Sequence, residues 1–303
     1  MKYNILPEFK RHSKDIVPLN PIILKIVNFM MPIVQKQNSP FENELEVEEI
    51  KFKSCTAQLI KPKVKKDIPC LVYFHGGGFV LKASQTHKNL VREYAYKGNM
   101  AVLFVDYRLA PKYKFPIPMQ DCYESYLWAV SKFTKQRIYV GGDSAGGNLA
   151  LGVTRKAIEK NNRIPDKLLL IYPVVDTRMI TNSMKEFTDT PIWNAKLNAK
   201  MWDLYTKKKD RHNILVSPIE ADNFYGFPEC YIETAEFDCL RDEGINLANH
   251  LKLSDVSVEI VNTKGTIHGF DVEEKSDCVR ECIQKRIVFL NKGIDTNSNF
   301  SEK

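Results

Sequence analysis

Five consecutive residues, Gly142-Asp143-Ser144-Ala145-Gly146, set a serine between two glycines. They join an apolar run, Ile138 to Val140, to a helix-like segment, Asn148 to Lys160. A tight strand-to-helix turn holds such a serine in a strained backbone conformation, and a side chain two residues away on either side would collide with the turn. The hydroxyl then projects above the sheet at a helix N-terminus, whose partial positive charge favours an oxyanion. A serine placed this way is a nucleophile if the chain also supplies a base, a group that orients the base, and donors for the oxyanion.

His268, in Gly265-Thr266-Ile267-His268-Gly269-Phe270, lies just beyond the last apolar strand and is the candidate base. Of the other histidines, His12 is N-terminal, His212 lies in an insertion, His87 and His250 lie in helical stretches facing no expected cleft, and His75 precedes a glycine run where its backbone matters more than its ring. Asp238, just past the penultimate strand, is the candidate orienting acid. Glu236 and Asp242 are rivals, although Asp242 suits the first turn of the following helix, where a carboxylate offsets exposed N–H groups. Asp143 and Asp106 read as carboxylates bracing the elbow and a neighbouring loop. The order Ser144, Asp238, His268 is that of an α/β-hydrolase. For the oxyanion, Gly76 and Gly77 in His75-Gly76-Gly77-Gly78-Phe79, with Ala145, offer unobstructed backbone N–H groups. Neither a G-x-x-x-x-G-K-[ST] nor a dinucleotide fingerprint is present, which disfavours a nucleotide site.

The elements that must position these residues follow from periodicity. Leu45 to Ile50 and Cys55 to Ile60 read as two antiparallel strands, Lys61 to Lys66 as a basic turn between extended segments, and Cys70 to Phe74 as a strand buried on both faces. Helix then alternates with strand: Thr86 to Gly98, Met100 to Val105, Met119 to Phe133, Arg137 to Gly141, Asn148 to Lys160 and Lys167 to Tyr172. Strands at Cys230 to Thr234 and Ser257 to Val261, with helices at Leu240 to Leu253 and Ser276 to Asn291, complete the pattern. This order predicts an α/β fold with a mostly parallel sheet of eight strands flanked by helices. One domain over residues 1–303 is expected, with a helical cap built from residues 1–40 and 176–212 and a polar tail over 293–303. Trp193, Trp202 and Tyr205 in the second cap segment are candidates for an apolar pocket wall.

Composition narrows the function. The chain has 303 residues, 44% of them hydrophobic, and 44 basic against 37 acidic residues, a net +7 spread in short clusters. That spread reads as solvated surface and not as a nucleic-acid interface. Seven cysteines, without paired C-x-x-C spacing or a secretory signal, suit reduced thiols in a cytoplasm. Cys278 and Cys282 share a helical face but have no nearby His or Cys to complete a metal site. The most apolar stretch, Ile16 to Gln35, is broken by Pro18, Pro21, Lys25, Asn28 and Pro32, so no stable membrane insertion is expected. Ile23, Ile26, Val27, Met30 and Met31 fall on one helical face, expected to cover the protein's own cleft.

Taken together, His75 to Phe79, Asp106-Tyr107-Arg108-Leu109-Ala110-Pro111, Gly142 to Gly147, Asp238 to Glu243 and His268-Gly269-Phe270 resemble the hormone-sensitive-lipase group of α/β-hydrolase esterases in order and spacing. The resemblance implies a triad of Ser144, Asp238 and His268, an oxyanion hole at Gly76, Gly77 and Ala145, a cap from the two segments named above, and no metal or organic cofactor. The chain departs from that pattern at Lys112, at Cys239 and at Leu81-Lys82-Ala83, and Lys82 stands close to where an acyl or alcohol group would enter. The activity implied is hydrolysis of small acyl esters, short-chain ones first, through an acyl-enzyme. An amidase or deacetylase with the same triad, a non-catalytic small-molecule receptor and a membrane-attached lipase are the other readings, and a homo-oligomer is compatible with any of them.

Overall fold

A computed structural model describes residues 2–34, 39–64 and 67–294. Part of the N-terminal cap segment (35–38), Lys65 and Lys66 of the basic turn, and the polar tail from residue 295 onward lie outside the described residues.

The apolar runs form one sheet. Its strands are β1 (Leu45–Lys51), β2 (Thr56–Pro62), β3 (Cys70–Phe74), β4 (Ala101–Asp106), β5 (Ile138–Asp143), β6 (Lys167–Ile171), β7 (Glu229–Phe237) and β8 (Val258–Ile267). Their spatial order is β1-β2-β4-β3-β5-β6-β7-β8. β1 pairs with β2, and β2 with β4, antiparallel; every later pairing is parallel. All five residues of β3 and of β6 are buried, as expected where helices cover both faces.

Alternation along a strand sends successive side chains to opposite faces, and here it feeds two cores. Cys70, Val72 and Phe74 of β3 join the core beneath α3 (Ile117–Lys132), α4 (Ala145–Glu159) and α7 (Arg241–Leu253). Leu71 and Tyr73 join the other, beneath α2 (Gln85–Lys97) and α8 (Asp277–Asn291). Strand C-terminal ends therefore open on one edge of a three-layer stack, which is where a parallel sheet places its ligands.

Most expected elements fall within two residues of the observed ones, with two instructive differences. α4 begins at Ala145, three residues before the expected start, because Gly146 and Gly147 are poor helix formers on propensity alone. β7 and β8 run past their expected ends to Phe237 and Ile267, through a register shift between Ala235 and Phe237. The polar residues Asn262, Thr263 and Lys264 hid that continuation.

Two segments stand off the sheet: the N-terminal stretch, with α1 (Pro21–Val34), and the insertion carrying α5 (Asn182–Glu186) and α6 (Ala195–Tyr205). They are tied to one another at a short parallel bridge, where Ile192 N–H donates to Asp15 C=O at 2.6 Å and Val17 N–H to Ile192 C=O at 3.2 Å. The outer face of α1 departs from expectation. Ile23, Ile26 and Met30 point outward, 46%, 58% and 43% exposed, beside exposed Ile22 and Phe29. The inner stripe is Leu24, Asn28 and Met31, a helical spacing of four then three. Asn28 belongs to it because its side chain bonds the chain on both sides: Nδ2 donates to Val80 C=O at 2.7 Å, and Oδ1 accepts from Lys82 N–H at 2.9 Å. Hydrophobic patterning cannot register an inward face set by an amide. Among the described residues no helix is long and apolar enough to cross a membrane.

Candidate active site

Ser144 follows the last residue of β5 and precedes α4, with φ 53° and ψ −115°, a conformation that costs energy for any residue with a Cβ. Its backbone is fully engaged. Its N–H donates to Ile171 C=O at 2.8 Å, while its carbonyl accepts from Gly147, Asn148 and Val174 N–H at 3.1–3.3 Å. The elbow also requires its second glycine, since a Cβ on Gly146 would stand 1.8 Å from the Phe74 carbonyl oxygen.

The other two members of the sequence-derived set arrive from the ends of β7 and β8. Ser144 Oγ lies 3.0 Å from His268 Nε2, and His268 Nδ1 lies 2.7 Å from Asp238 Oδ2. Asp238 is completely buried, and its other oxygen accepts from Leu240 N–H at 2.9 Å, so the carboxylate can neither rotate nor hydrate. Tyr172, edge-on at 4.8 Å, and Trp193, tilted at 6.0 Å, confine the imidazole. The two rival acids are engaged elsewhere. Glu236 accepts from Gly265 N–H at 2.7 Å, and Asp242, in the first turn of α7, accepts from Ser183 N–H at 2.7 Å.

Gly77 has φ +106°, a conformation open in practice only to glycine, and it lets the loop after β3 turn back so that Leu81 N–H reaches Gly77 C=O at 2.9 Å. Among the described residues, no backbone carbonyl accepts from the N–H of Gly76, Gly77 or Ala145. Ser144, His268 and Gly77 line a cavity of about 260 Å³ whose walls are mainly apolar, with contributions from both off-sheet segments: Val17 and Met31 from one, Ile192 and Trp193 from the other.

Of the three aromatic residues expected in the pocket wall, Trp193 alone lines this cavity. Trp202 and Tyr205 are buried behind the glycine loop. Tyr205 stacks on Phe79 with ring centres 3.7 Å apart, and Trp202 lies 6.0 Å from the same ring. α6 turns its aromatic side to the loop that carries the glycines, supporting it from below.

His87 is a second correction. Its helix does face the cleft: the ring lines the cavity, and Nε2 lies 3.0 Å from Asp143 Oδ2, whose other oxygen accepts from the Tyr73 hydroxyl at 3.0 Å. Ser84 caps α2 and meets His87 Nδ1 through both its N–H, at 3.0 Å, and its hydroxyl, at 2.7 Å. Asp143 thus does brace the elbow, with His87 as the partner that sequence reasoning overlooked. His75 lies beneath, stacked on Tyr107 at 4.5 Å; burial and the proximity of His87 push its ring down to about 4, leaving it neutral at ordinary pH.

One further cluster escaped sequence reasoning. Arg286 is fully buried under the cavity floor, donating to Glu233 at 2.5 Å and to Asp271 at 2.8 Å, and Asp271 accepts from the Tyr172 hydroxyl at 2.6 Å. An arginine on the otherwise apolar buried face of α8, among Cys282, Ile283, Phe289 and Leu290, was the available signal. All seven cysteines are free thiols, and no cluster of His, Cys, Asp or Glu suited to a metal occurs among the described residues.

A family model described as alpha/beta hydrolase fold matches residues 71–272, two thirds of the chain, a span that holds the glycine loop, Ser144, Asp238 and His268. The chain belongs to the alpha/beta hydrolase fold family. Among curated relatives of this hydrolase-fold chain, a protein of Acanthamoeba polyphaga mimivirus named as an alpha/beta hydrolase is 31% identical over 277 residues, covering 88% of this chain and 80% of its own length. Esterase LipI of Mycobacterium tuberculosis is 34% identical over 212 residues, 67% of this chain and 66% of that protein. Among solved structures, a bacterial heroin esterase superimposes with a TM-score of 0.86 at 28% identity, over 94% of this chain and 96% of that one.

Proposed function

We propose that this alpha/beta hydrolase is a serine carboxylesterase that cleaves short-chain acyl esters through an acyl-enzyme. The observation that carries the reading is the hydrogen-bonded line from Ser144 Oγ through His268 to buried Asp238, opening on a small apolar cavity beside three backbone donors that have no backbone acceptor among the described residues. The esterase among its relatives and the esterase among its structural neighbours agree with it.

In this reading His268 Nε2 takes the Ser144 proton as Oγ attacks the ester carbonyl. A serine that kept its proton would become a cationic oxonium on attack, so the imidazole removes the proton as the new C–O bond forms. Asp238 holds Nδ1–H and stabilises the imidazolium that forms. The N–H groups of Gly76, Gly77 and Ala145 receive the oxyanion, in a cavity where low polarity makes each such bond stronger than in water. His268 then protonates the leaving alcohol, and water repeats the sequence on the acyl-enzyme. No step calls for a cofactor. A cavity of about 260 Å³ lies at the small end of ligand sites, which favours short acyl groups. Trp193 forms part of the acyl or alcohol wall, and the N-terminal segment together with the 176–212 insertion acts as the cap over the cavity. A small ester in a reducing cytoplasm is the matching setting, consistent with seven unpaired thiols.

The test is hydrolysis of a 4-nitrophenyl ester series of increasing acyl length by the wild type and by Ser144→Ala. The expected result is a maximum at short chains that disappears in the variant, a loss of roughly 10⁴-fold or more. Ester turnover undiminished in Ser144→Ala would overturn the reading.

A further inference from the structure

The charged side chains that line the Ser144 cavity are nearly all neutralised. His87 meets Asp143, Asp271 meets Arg286, and His268 is held by Asp238. Lys82 is the exception. It lines the same cavity, and no carboxylate among the described residues lies within ion-pair distance of its ammonium. Its backbone is nevertheless held in place, because Lys82 N–H donates to Asn28 Oδ1 while Asn28 Nδ2 holds Val80 C=O. The backbone that carries this cationic side chain is therefore anchored five residues beyond Gly77.

Lys82 also lines two adjoining cavities of about 640 and 470 Å³. Lys25 and Lys112 line the first with it, and Lys88 the second. Arg108 in the first is already spent on Asp121, at 2.7 and 2.9 Å. The opposing carboxylates are Asp106, facing both outer cavities, and Glu49, facing one; neither lines the Ser144 cavity. The space leading away from Ser144 thus carries an excess of cations, with Lys82 where the three cavities meet.

We infer that Lys82 selects esters bearing a second, anionic group: half-esters of dicarboxylic acids, or acyl esters of hydroxy acids. This rests on the ester-hydrolase reading above. The cavity that Lys82 helps to line has mainly apolar walls, and a carboxylate pairing with an ammonium there is screened less than in open water. No protein carboxylate has to be displaced first. The contact is remote from the reacting carbonyl and equal in ground and transition states, so it acts on KM and not on kcat.

The experiment compares charged and neutral esters of similar size in two arms, with hydrolysis followed by pH-stat titration. Monoethyl glutarate against ethyl pentanoate places the charge on the acyl side. Acetoxyacetate against propyl acetate places it on the alcohol side. In the arm that matches the substrate, Lys82→Met lowers the charged-to-neutral ratio of kcat/KM about tenfold, mostly through KM. Lys82→Glu lowers it further, Lys82→Arg preserves it, and added salt erodes it in the wild type. If Lys82→Met shifts charged and neutral esters equally in both arms, this inference is overturned and the esterase reading stands. If the wild type hydrolyses none of the four esters, the esterase reading falls and this inference falls with it.

Discussion

Two histidines line the Ser144 cavity, each bonded to a carboxylate at the edge of the sheet, and they differ in what remains of each ring once that bond is made. His268 gives Nδ1 to Asp238 and leaves Nε2 3.0 Å from Ser144 Oγ. His87 gives Nε2 to Asp143 and buries Nδ1 against the N–H and hydroxyl of Ser84. Both are histidine–carboxylate pairs, but one has a nitrogen aimed at Ser144 Oγ and the other has none. A histidine–carboxylate pair becomes a base through geometry at its second nitrogen; without that it is a brace. The carboxylates differ in the same sense. Asp238 serves its histidine, whereas Asp143 belongs to the elbow itself and is held from two sides, by His87 and by Tyr73.

The comparison breaks most sharply at His268 and Asp238, the pair proposed to be catalytic. His268→Ala is expected to lower kcat by roughly 10⁴- to 10⁶-fold, and Asp238→Asn by about 10⁴-fold, because the amide presents the wrong partner to Nδ1–H and misorients the ring. Both losses are read from kcat at saturating ester. A fall of less than tenfold in either variant would remove the distinction between the two pairs.

His87→Gln sits an order of magnitude or more below. Glutamine retains a donor for Asp143 but not the ring's fixed reach, so the elbow shifts slightly and kcat falls roughly ten- to a hundredfold. The shape of the pH–rate profile should stay that of the wild type, since His87 moves no proton in the reaction. A profile whose acid limb moves with His87→Gln would mean that the second pair titrates within the catalytic step after all.

How much of this was legible in the sequence depends on the distance along the chain over which each feature is decided. Ser144 could be read because its elbow is local: glycines within two residues, a strand before and a helix after. His268 and Asp238 could be read because both follow directly on apolar strands, which fixes them at the same edge of the sheet as Ser144. The eight strands themselves could be read from buried runs such as Leu168 to Ile171. The His87 pairing could not, because its partner Asp143 is 56 residues away and nothing near His87 marks it. Trp202 and Tyr205 were aromatic at a spacing that suits a pocket wall equally well as a support, and only the position of Phe79 decides between them. On α1 the apolar pattern was right for Met31, which lines the cavity, and wrong for Ile23, Ile26 and Met30, because the amide of Asn28 turns the inner face toward itself. Helical amphipathicity is a statement about area, and two hydrogen bonds to a loop 52 and 54 residues away are invisible to it.

The smallest expected effect separates the pairs by charge. Burial would lower the His87 ring, but the Asp143 carboxylate outweighs it and holds the ring above its ordinary 6.5. Burial would raise Asp143, and the charge and hydrogen bond of His87 outweigh that in turn, holding it below its ordinary 3.8. When the ring takes its second proton the Ser84 hydroxyl can accept from Nδ1–H, but the Ser84 N–H bond to that nitrogen is lost, which offsets part of the gain from the Asp143 charge. A histidine raised by folding contributes stability that is complete below its unfolded pKa and disappears as pH climbs through the folded one. A depressed carboxylate contributes above its unfolded pKa and loses that as pH falls through the folded one. Ion pairing between His87 and Asp143 therefore stabilises the fold most between about pH 4 and 6.5, and thermal melts across that range should show the widest Tm gap between wild type and His87→Gln, narrowing toward alkaline pH. The gap corresponds to about 1–3 kcal/mol at its widest, the cost of leaving a buried carboxylate short of a charged partner. A gap that stays constant from pH 5 to 9 would mean that the His87 ring is neutral throughout and braces the elbow by hydrogen bonding alone, so that aim and not ion pairing is what sets it apart from His268.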